Sequence, residues 1–186
     1  MLALALAAKL TPPPPREGLI MRERLAVWRA AQARARLAGT LEGLVGKGKL
    51  GPDAAQATLA RIAPIETLAQ ARDAGLVVEA IVEDLDAKRA LFMQIEAVVA
   101  DDCVLATNTS SISVTALANG LAHPGRLVGM HFFNPVPLMK LVEVVSGLHT
   151  DAGVADAIFE LAKAWGKVPV HARSTPGFIV NRIARP

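Results

Sequence analysis

Residues 76–108 read LVVEAIVEDLDAKRALFMQIEAVVADDCVLATN. LVVEAI (76–81) is a short, mostly apolar run suited to a buried strand, residues 84–100 repeat their apolar positions at helical spacing, and CVLATN (103–108) is a second buried strand. Beyond it come a Thr/Ser turn with a helix at about 113–120, strands at 127–133 and 140–147, a helix at 151–166 and a strand at 167–172. Strands alternating with helices predict an α/β fold with a doubly wound, mostly parallel sheet. The link between 133 and 140 has no room for a crossover helix, so the strand at 140–147 is expected to run antiparallel. Toward the N-terminus, 20–45 is rich in Ala, Leu and Arg and favours helix, and Pro52 with Asp53 suits the first turn of another, to about Ile62. A Gly-Lys turn joins them into a helix-turn-helix. Pro12 to Pro15 reads as polyproline II, within a leader.

Hydrophobic residues make up 52% of the chain and charged residues 20%, a globular composition. The net charge of +3 is asymmetric: residues 1–72 hold eleven Lys or Arg against five acids, residues 73–186 nine against twelve. The arginines of the first third are scattered among alanines with few aromatics, which argues against nucleic-acid binding. The uncharged stretch 103–122 is interrupted by Ser, Thr and Asn, so no membrane span is expected. The lone Cys103 cannot form an internal disulfide, no His/Cys cluster suggests a metal, and a cytoplasmic setting follows.

Gly46-Lys47-Gly48-Lys49-Leu50-Gly51 spells G-x-G-x-x-G, with Asp73 downstream where a ribose-binding acid would be sought. A phosphate-binding turn needs a buried strand before it and a tightly packed helix after it. An Ala/Arg-rich helix precedes it here, so the stretch reads as a helix-to-helix turn. Its Lys47 and Lys49 remain candidates for meeting a polyanion.

His131 lies at the end of a strand before an Asn-Pro turn, where an imidazole can face a cleft, and Glu143 sits in the apolar run LVEVV, where a charge needs a partner. Pairing them satisfies both. A core ion pair that only fixes the turn and a catalytic pair are equally consistent with those residues.

ATNTSSIS (106–113), GMHFFNPVPLMKLVEVV (129–145), STPGFIVNR (174–182) and VVEAIVEDLDAKRALF (77–92) together resemble the signature stretches of the 3-hydroxyacyl-CoA dehydrogenase family, of the 3-hydroxybutyryl-CoA type, in order and spacing. The resemblance implies an NAD-dependent oxidation of 3-hydroxyacyl-CoA to 3-oxoacyl-CoA in fatty acid metabolism. It implies His131 as general base, Glu143 orienting it, Ser110 at the reacting oxygen and Asn181 positioning substrate. It further implies Glu83, Lys88, Asn108, Ser110 and Asn134 as NAD contacts. Lys47, Lys49 and Ser110 stand as candidate contacts to the CoA substrate, and the intact family protein is expected to be a homodimer. Read without the resemblance, Glu83 and Lys88 are an exposed i, i+5 pair, Ser110 a turn serine, and His123, His149 and His171 surface or loop residues.

The resemblance also sets out what is not seen: no strand and true glycine turn precede the first helix, and no helical domain follows GFIVNR. The expectation is therefore an incomplete Rossmann-like domain at 29–176, after an unrelated or disordered leader at 1–28 and before the start of an absent helical domain at 177–186. A bare sheet edge is expected where the first strands are missing. A chain of this kind is expected to turn over little by itself, and the alternative function is an inactive remnant that binds at most acyl-CoA or a partner subunit.

Cys103 opens an apolar run with no basic neighbour expected to lower its pKa, and it is expected to be buried without a redox role. The native protein should therefore resist a polar thiol reagent that labels the urea-unfolded chain; rapid labelling in the native state contradicts the reading.

Overall fold

The computed structural model describes residues 3–4 and 19–184, with side chains from residue 30 onward. Two compact units emerge, one formed by residues 10–70 and the other by residues 1–9 with 71–186.

In the first unit, helix α1 (Leu19–Gly46) is followed by α2 (Pro52–Ala60). The glycine motif is the stop between them. Gly48 takes φ 65°, the Gly48 amide donates to Val45 O and the Lys49 amide to Leu44 O, each at 2.9 Å, the two bonds of a Schellman motif. Gly51 then caps α2, with Pro52 in its first turn. Arg34 of α1 donates to the carbonyls of Leu59 and Ile62 at the far end of α2, satisfying acceptors that a helix terminus leaves open. The helix-turn-helix expectation holds, and α1 reaches back to Leu19, inside the stretch expected to be leader. Pro12–Pro15 lies outside the described residues.

In the second unit, six strands stand in sequence order: β1 (Ala3–Leu4), β2 (Leu76–Glu79), β3 (Val104–Thr107), β4 (Leu127–Phe132), β5 (Leu141–Ser146) and β6 (Val168–Arg173). The first four are parallel, β5 is antiparallel to β4, and β6 is parallel to β5. The expected bare edge at β2 is corrected: Ala3 and Leu4 pair with Val77 and Val78, so residues from within 1–28 complete the row.

Strand alternation sorts the sheet into two chemically different faces. Leu76, Val78, Ala106, Val128, Met130, Val142 and Val144 project toward helix α5 (Ala152–Ala164), which packs Ala155, Ile158 and Ala162 on them. The intervening positions, Glu79, Thr107, Gly129, His131 and Glu143, all belong to the opposite face, which α3 (Leu85–Glu96) and α4 (Val114–Ala118) cover. Asp84 and Ser113 cap these helices by accepting from the amides of Ala87 and Ala116.

Helix α4 lies so close because glycine meets it twice. A Cβ on Gly129 would stand 2.7 Å from Val145 Cβ and 3.2 Å from Val114 Cγ2; one on Gly147 would stand 3.0 Å from the Thr115 amide nitrogen. Cys103 is buried just before β3. Burial pushes its thiol pKa up, outweighing Arg126, a basic neighbour that the sequence reading had not placed there.

Gly129→Ala should therefore cost about 1–3 kcal/mol of stability through overpacking. Gly43→Ala, where an added Cβ meets nothing within 4 Å inside α1, should raise helix stability by about 0.5–1 kcal/mol. Thermal melts of both variants check the contrast, which fails if Gly129→Ala is neutral.

Candidate active site

The antiparallel β4–β5 pairing sets His131 directly opposite Glu143, on the same face. Their side chains meet at 2.6 Å, His131 Nδ1 to Glu143 Oε2. An ionised carboxylate can only accept, so the bond assigns a proton to Nδ1 and leaves Nε2 outside the pair. The other carboxylate oxygen accepts the amides of Ile179 and Val180, both at 2.9 Å, where the chain enters the short helix α6 (Val180–Ala184). Glu143 is fully buried and has three donors. Phe133 and Phe178 flank the imidazole, with ring centroids 4.5 and 5.8 Å away. Phe178 holds φ 48°, in the left-handed region that non-glycine residues seldom occupy, directly after Gly177 at φ 73°.

A second cluster forms at the ends of β2 and β3. Glu79 Oε1 accepts from Lys88 Nζ at 2.7 Å and from the Ile81 amide, and Oε2 accepts the Thr107 hydroxyl at 2.7 Å. Lys88 is 1% exposed and also pairs with Glu83 Oε2 at 3.3 Å. The reading of Glu83 and Lys88 as an exposed pair is thus corrected: the lysine turns inward to a carboxylate in the strand. Glu83 Oε1 collects the following turn, accepting the Thr109 hydroxyl, the Ser110 amide at 2.9 Å and hydroxyl at 3.4 Å, and both the amide and the hydroxyl of Ser111.

Asn181 joins the two clusters, its Nδ2 donating to Ser110 O at 3.0 Å. A continuous polar chain runs from His131 through Glu143, the α6 entry, Asn181 and Ser110 to Glu83, Lys88 and Glu79. The four residues expected to be catalytic, with Glu83 and Lys88, are all in it. Asn108 stands beside it, its Oδ1 accepting the Phe132 amide at 2.8 Å and tying β3 to β4. Asn134 is exposed in the loop after β4, and Lys167 donates to the carbonyls of Val136 and Met139 in that loop. Lys47 and Lys49 are exposed on the first unit. His123 and His149 are exposed loop residues; His171 is exposed as well, on β6, with its ring stacked on Phe159 at 4.4 Å.

Glu79, Thr107, Phe178 and Lys167 are participants that sequence reasoning missed. Glu79 carried the same signal as Glu143, a charge inside an apolar strand.

A Rossmann-type sheet with a His–Glu pair and a serine turn at its strand ends is the framework of a nicotinamide-dependent dehydrogenase domain. The chain matches the 3-hydroxyacyl-CoA dehydrogenase, NAD binding domain family over residues 25–175, and it belongs to that family. It is 51% identical over 146 residues to the 3-hydroxyadipyl-CoA dehydrogenase of Escherichia coli K12, covering 78% of this chain and 31% of that protein. It is 43% identical over 143 residues to the 3-hydroxybutyryl-CoA dehydrogenase of Clostridioides difficile, covering 77% of this chain and 51% of that one. The crystal structure of 3-hydroxybutyryl-CoA dehydrogenase from E. coli K12 superposes with a TM-score of 0.82 at 48% identity, over 84% of this chain and 33% of the other. The chain thus spans about a third to a half of the length of these relatives.

Burial alone would raise the Glu83 pKa, but the Thr109 hydroxyl, the Ser110 amide and Lys88 together bring it below the ordinary glutamate value. A carboxylate with a depressed folded-state pKa lends stability that is complete above its unfolded pKa and lost as pH falls through the folded one. The Ser110 and Ser111 amide resonances should accordingly hold their positions through the usual glutamate titration range and shift only below it. Movement of both within that range contradicts the bonding of Glu83.

Proposed function

We propose that this chain carries the nicotinamide-side and catalytic parts of an NAD-dependent 3-hydroxyacyl-CoA dehydrogenase, which oxidises 3-hydroxyacyl-CoA to 3-oxoacyl-CoA. The observation that carries the reading is the buried His131–Glu143 pair at 2.6 Å, tied through Asn181 to the Ser110 turn. Neutral His131 takes the 3-hydroxyl proton on Nε2. Glu143, buried and hydrogen-bonded to Nδ1, holds the ring in that tautomer and stabilises the imidazolium that forms. The Ser110 hydroxyl, 3.4 Å from Glu83 Oε1 in the ligand-free chain, would turn to the reacting oxygen, and Asn181 would keep substrate and the Ser110 turn in register.

The residues suit the nicotinamide end of NAD. Glu83, 38% exposed at the carboxyl ends of the strands, offers acceptors for ribose hydroxyls, while buried Lys88 offsets its charge. Asn108 and Asn134 would complete that side. When bound, NAD supplies the acceptor for the hydride that leaves C3. Lys47 and Lys49 are proposed contacts to coenzyme A phosphates, and Ser110 is separately proposed to contact the substrate. A homodimer and a cytoplasmic location are proposed for the whole protein; among the described residues no helix is long and apolar enough to cross a membrane.

One observation favours a second reading, a remnant that binds acyl-CoA or a partner subunit without catalysis. The glycine motif at 46–51 is a helix stop and not a phosphate-binding turn between a strand and a helix.

Two preparations separate the readings in an NADH-absorbance assay with acetoacetyl-CoA. The chain by itself should turn over negligibly. Residues 71–184 grafted in place of the matching segment of the E. coli 3-hydroxyadipyl-CoA dehydrogenase should give turnover that His131→Ala lowers about 10²–10⁴-fold. A graft that folds, binds NADH and shows no dependence on His131 would overturn the catalytic assignment.

A further inference from the structure

Glu79 is the one fully buried carboxylate of the second cluster, and the proposed chemistry does not use it. It lies on β2 directly across from Thr107 on β3, and both its oxygens are occupied. An ammonium group has three N–H donors. Those of Lys88 face Glu79 Oε1 at 2.7 Å, Glu83 Oε2 at 3.3 Å and Ile81 O at 3.4 Å. In the ligand-free chain all three are thus directed at protein oxygens. Glu83, by contrast, is 38% exposed and fastens the turn that carries Ser110. The order of action therefore runs outward from the core, Glu79 to Lys88 to Glu83 to the serine turn.

We infer that Glu79 is a positioning residue: by fixing Lys88 and Thr107 it sets the carboxylate of Glu83, and through it the Ser110 turn, in the geometry that receives the nicotinamide side of the cofactor. The inference rests on the proposed function for the identity of the ligand, but the mechanical link exists in the ligand-free protein and is testable there. Neutralising a buried ammonium would need only a negative charge nearby. Positioning needs the carboxylate at its present reach, bonded to Thr107 as well as to Lys88.

Charge and position are separable by substitution. Glu79→Asp keeps the charge and withdraws the carboxylate by one methylene; Glu79→Gln keeps the reach and removes the charge. The double variant Glu79→Gln/Lys88→Met removes both buried charges. Amide hydrogen exchange by NMR on the ligand-free chain reads the result at Ser110 and Ser111, with β5 and α5 amides as internal controls. Glu79→Asp and Glu79→Gln should each speed exchange at Ser110 and Ser111 about tenfold relative to the controls, with a matching change in the Lys88 ammonium resonance. The double variant should remain as loose as Lys88→Met alone.

Three results overturn the inference: unchanged Ser110 and Ser111 exchange in both single variants, wild-type exchange in Glu79→Asp, or restored exchange in the double variant. The last two would reduce Glu79 to a neutraliser of buried charge. Faster exchange spread over β5 and α5 also counts against it, as a loss of the whole fold. If the Gln variant does not fold, the Asp variant decides alone. NADH titration of the same samples is a separate readout: failure of the wild-type chain to bind bears on the proposed function and leaves the exchange comparison to judge Glu79.

Discussion

The carboxylate of Glu143 is the constraint around which the rest is arranged. A charge with no exposed surface is tolerated only if donors meet it, and this one has three, one from the imidazole of His131 and two from the backbone at 179 and 180. The first fixes the ring's tautomer. The other two hold the chain as it leaves β6 for α6, including Phe178 in a backbone conformation of the kind that costs about 1–3 kcal/mol where the surroundings do not impose it. The same two oxygens thus orient the base and bring in the helix that carries Asn181, so ring orientation and helix seating are one event.

The Glu79 cluster repeats that logic three strands away. Again a carboxylate stands in an apolar strand, again it is met by a side chain and a backbone amide, and again an irregular segment bearing a functional residue hangs from the outcome. Both clusters occupy the face opposite α5, while that helix rests on an uninterrupted apolar cluster. The sheet is consequently divided by strand period: even positions such as Val128 and Met130 hold the domain together, and odd positions such as His131 and Glu143 carry polar work.

Most of the sheet was legible because its strands are short apolar runs separated by amphipathic helices, and the antiparallel β5 followed from loop length alone. Glu143 and His131 were legible by the cost of a charge among valines. Glu79 sits in an equivalent run, LVVEAI, and the same argument applied to it would have found the partner of Lys88. The inward turn of Lys88 was less visible, since a lysine in a first helical turn ordinarily reaches water and only the nearness of β2 and β3 redirects it. Nothing local announced the pairing of Ala3 and Leu4 with β2, because the pairing joins positions more than seventy residues apart. The left-handed Phe178 was equally silent; it follows from tertiary bonds to Glu143 and not from any preference of Phe.

Where α4 rests on Gly129 and Gly147, the separation between the helix and the two strands is set by backbone and short branched side chains with almost no give. Such a contact behaves as a spacer of fixed thickness, insensitive to the drift of side-chain sizes that gradually reshapes ordinary cores. Anyone moving this constellation onto another scaffold would have to carry the two glycines across first, before His131 or Ser110, because the length they set is the datum from which the reactive groups are measured.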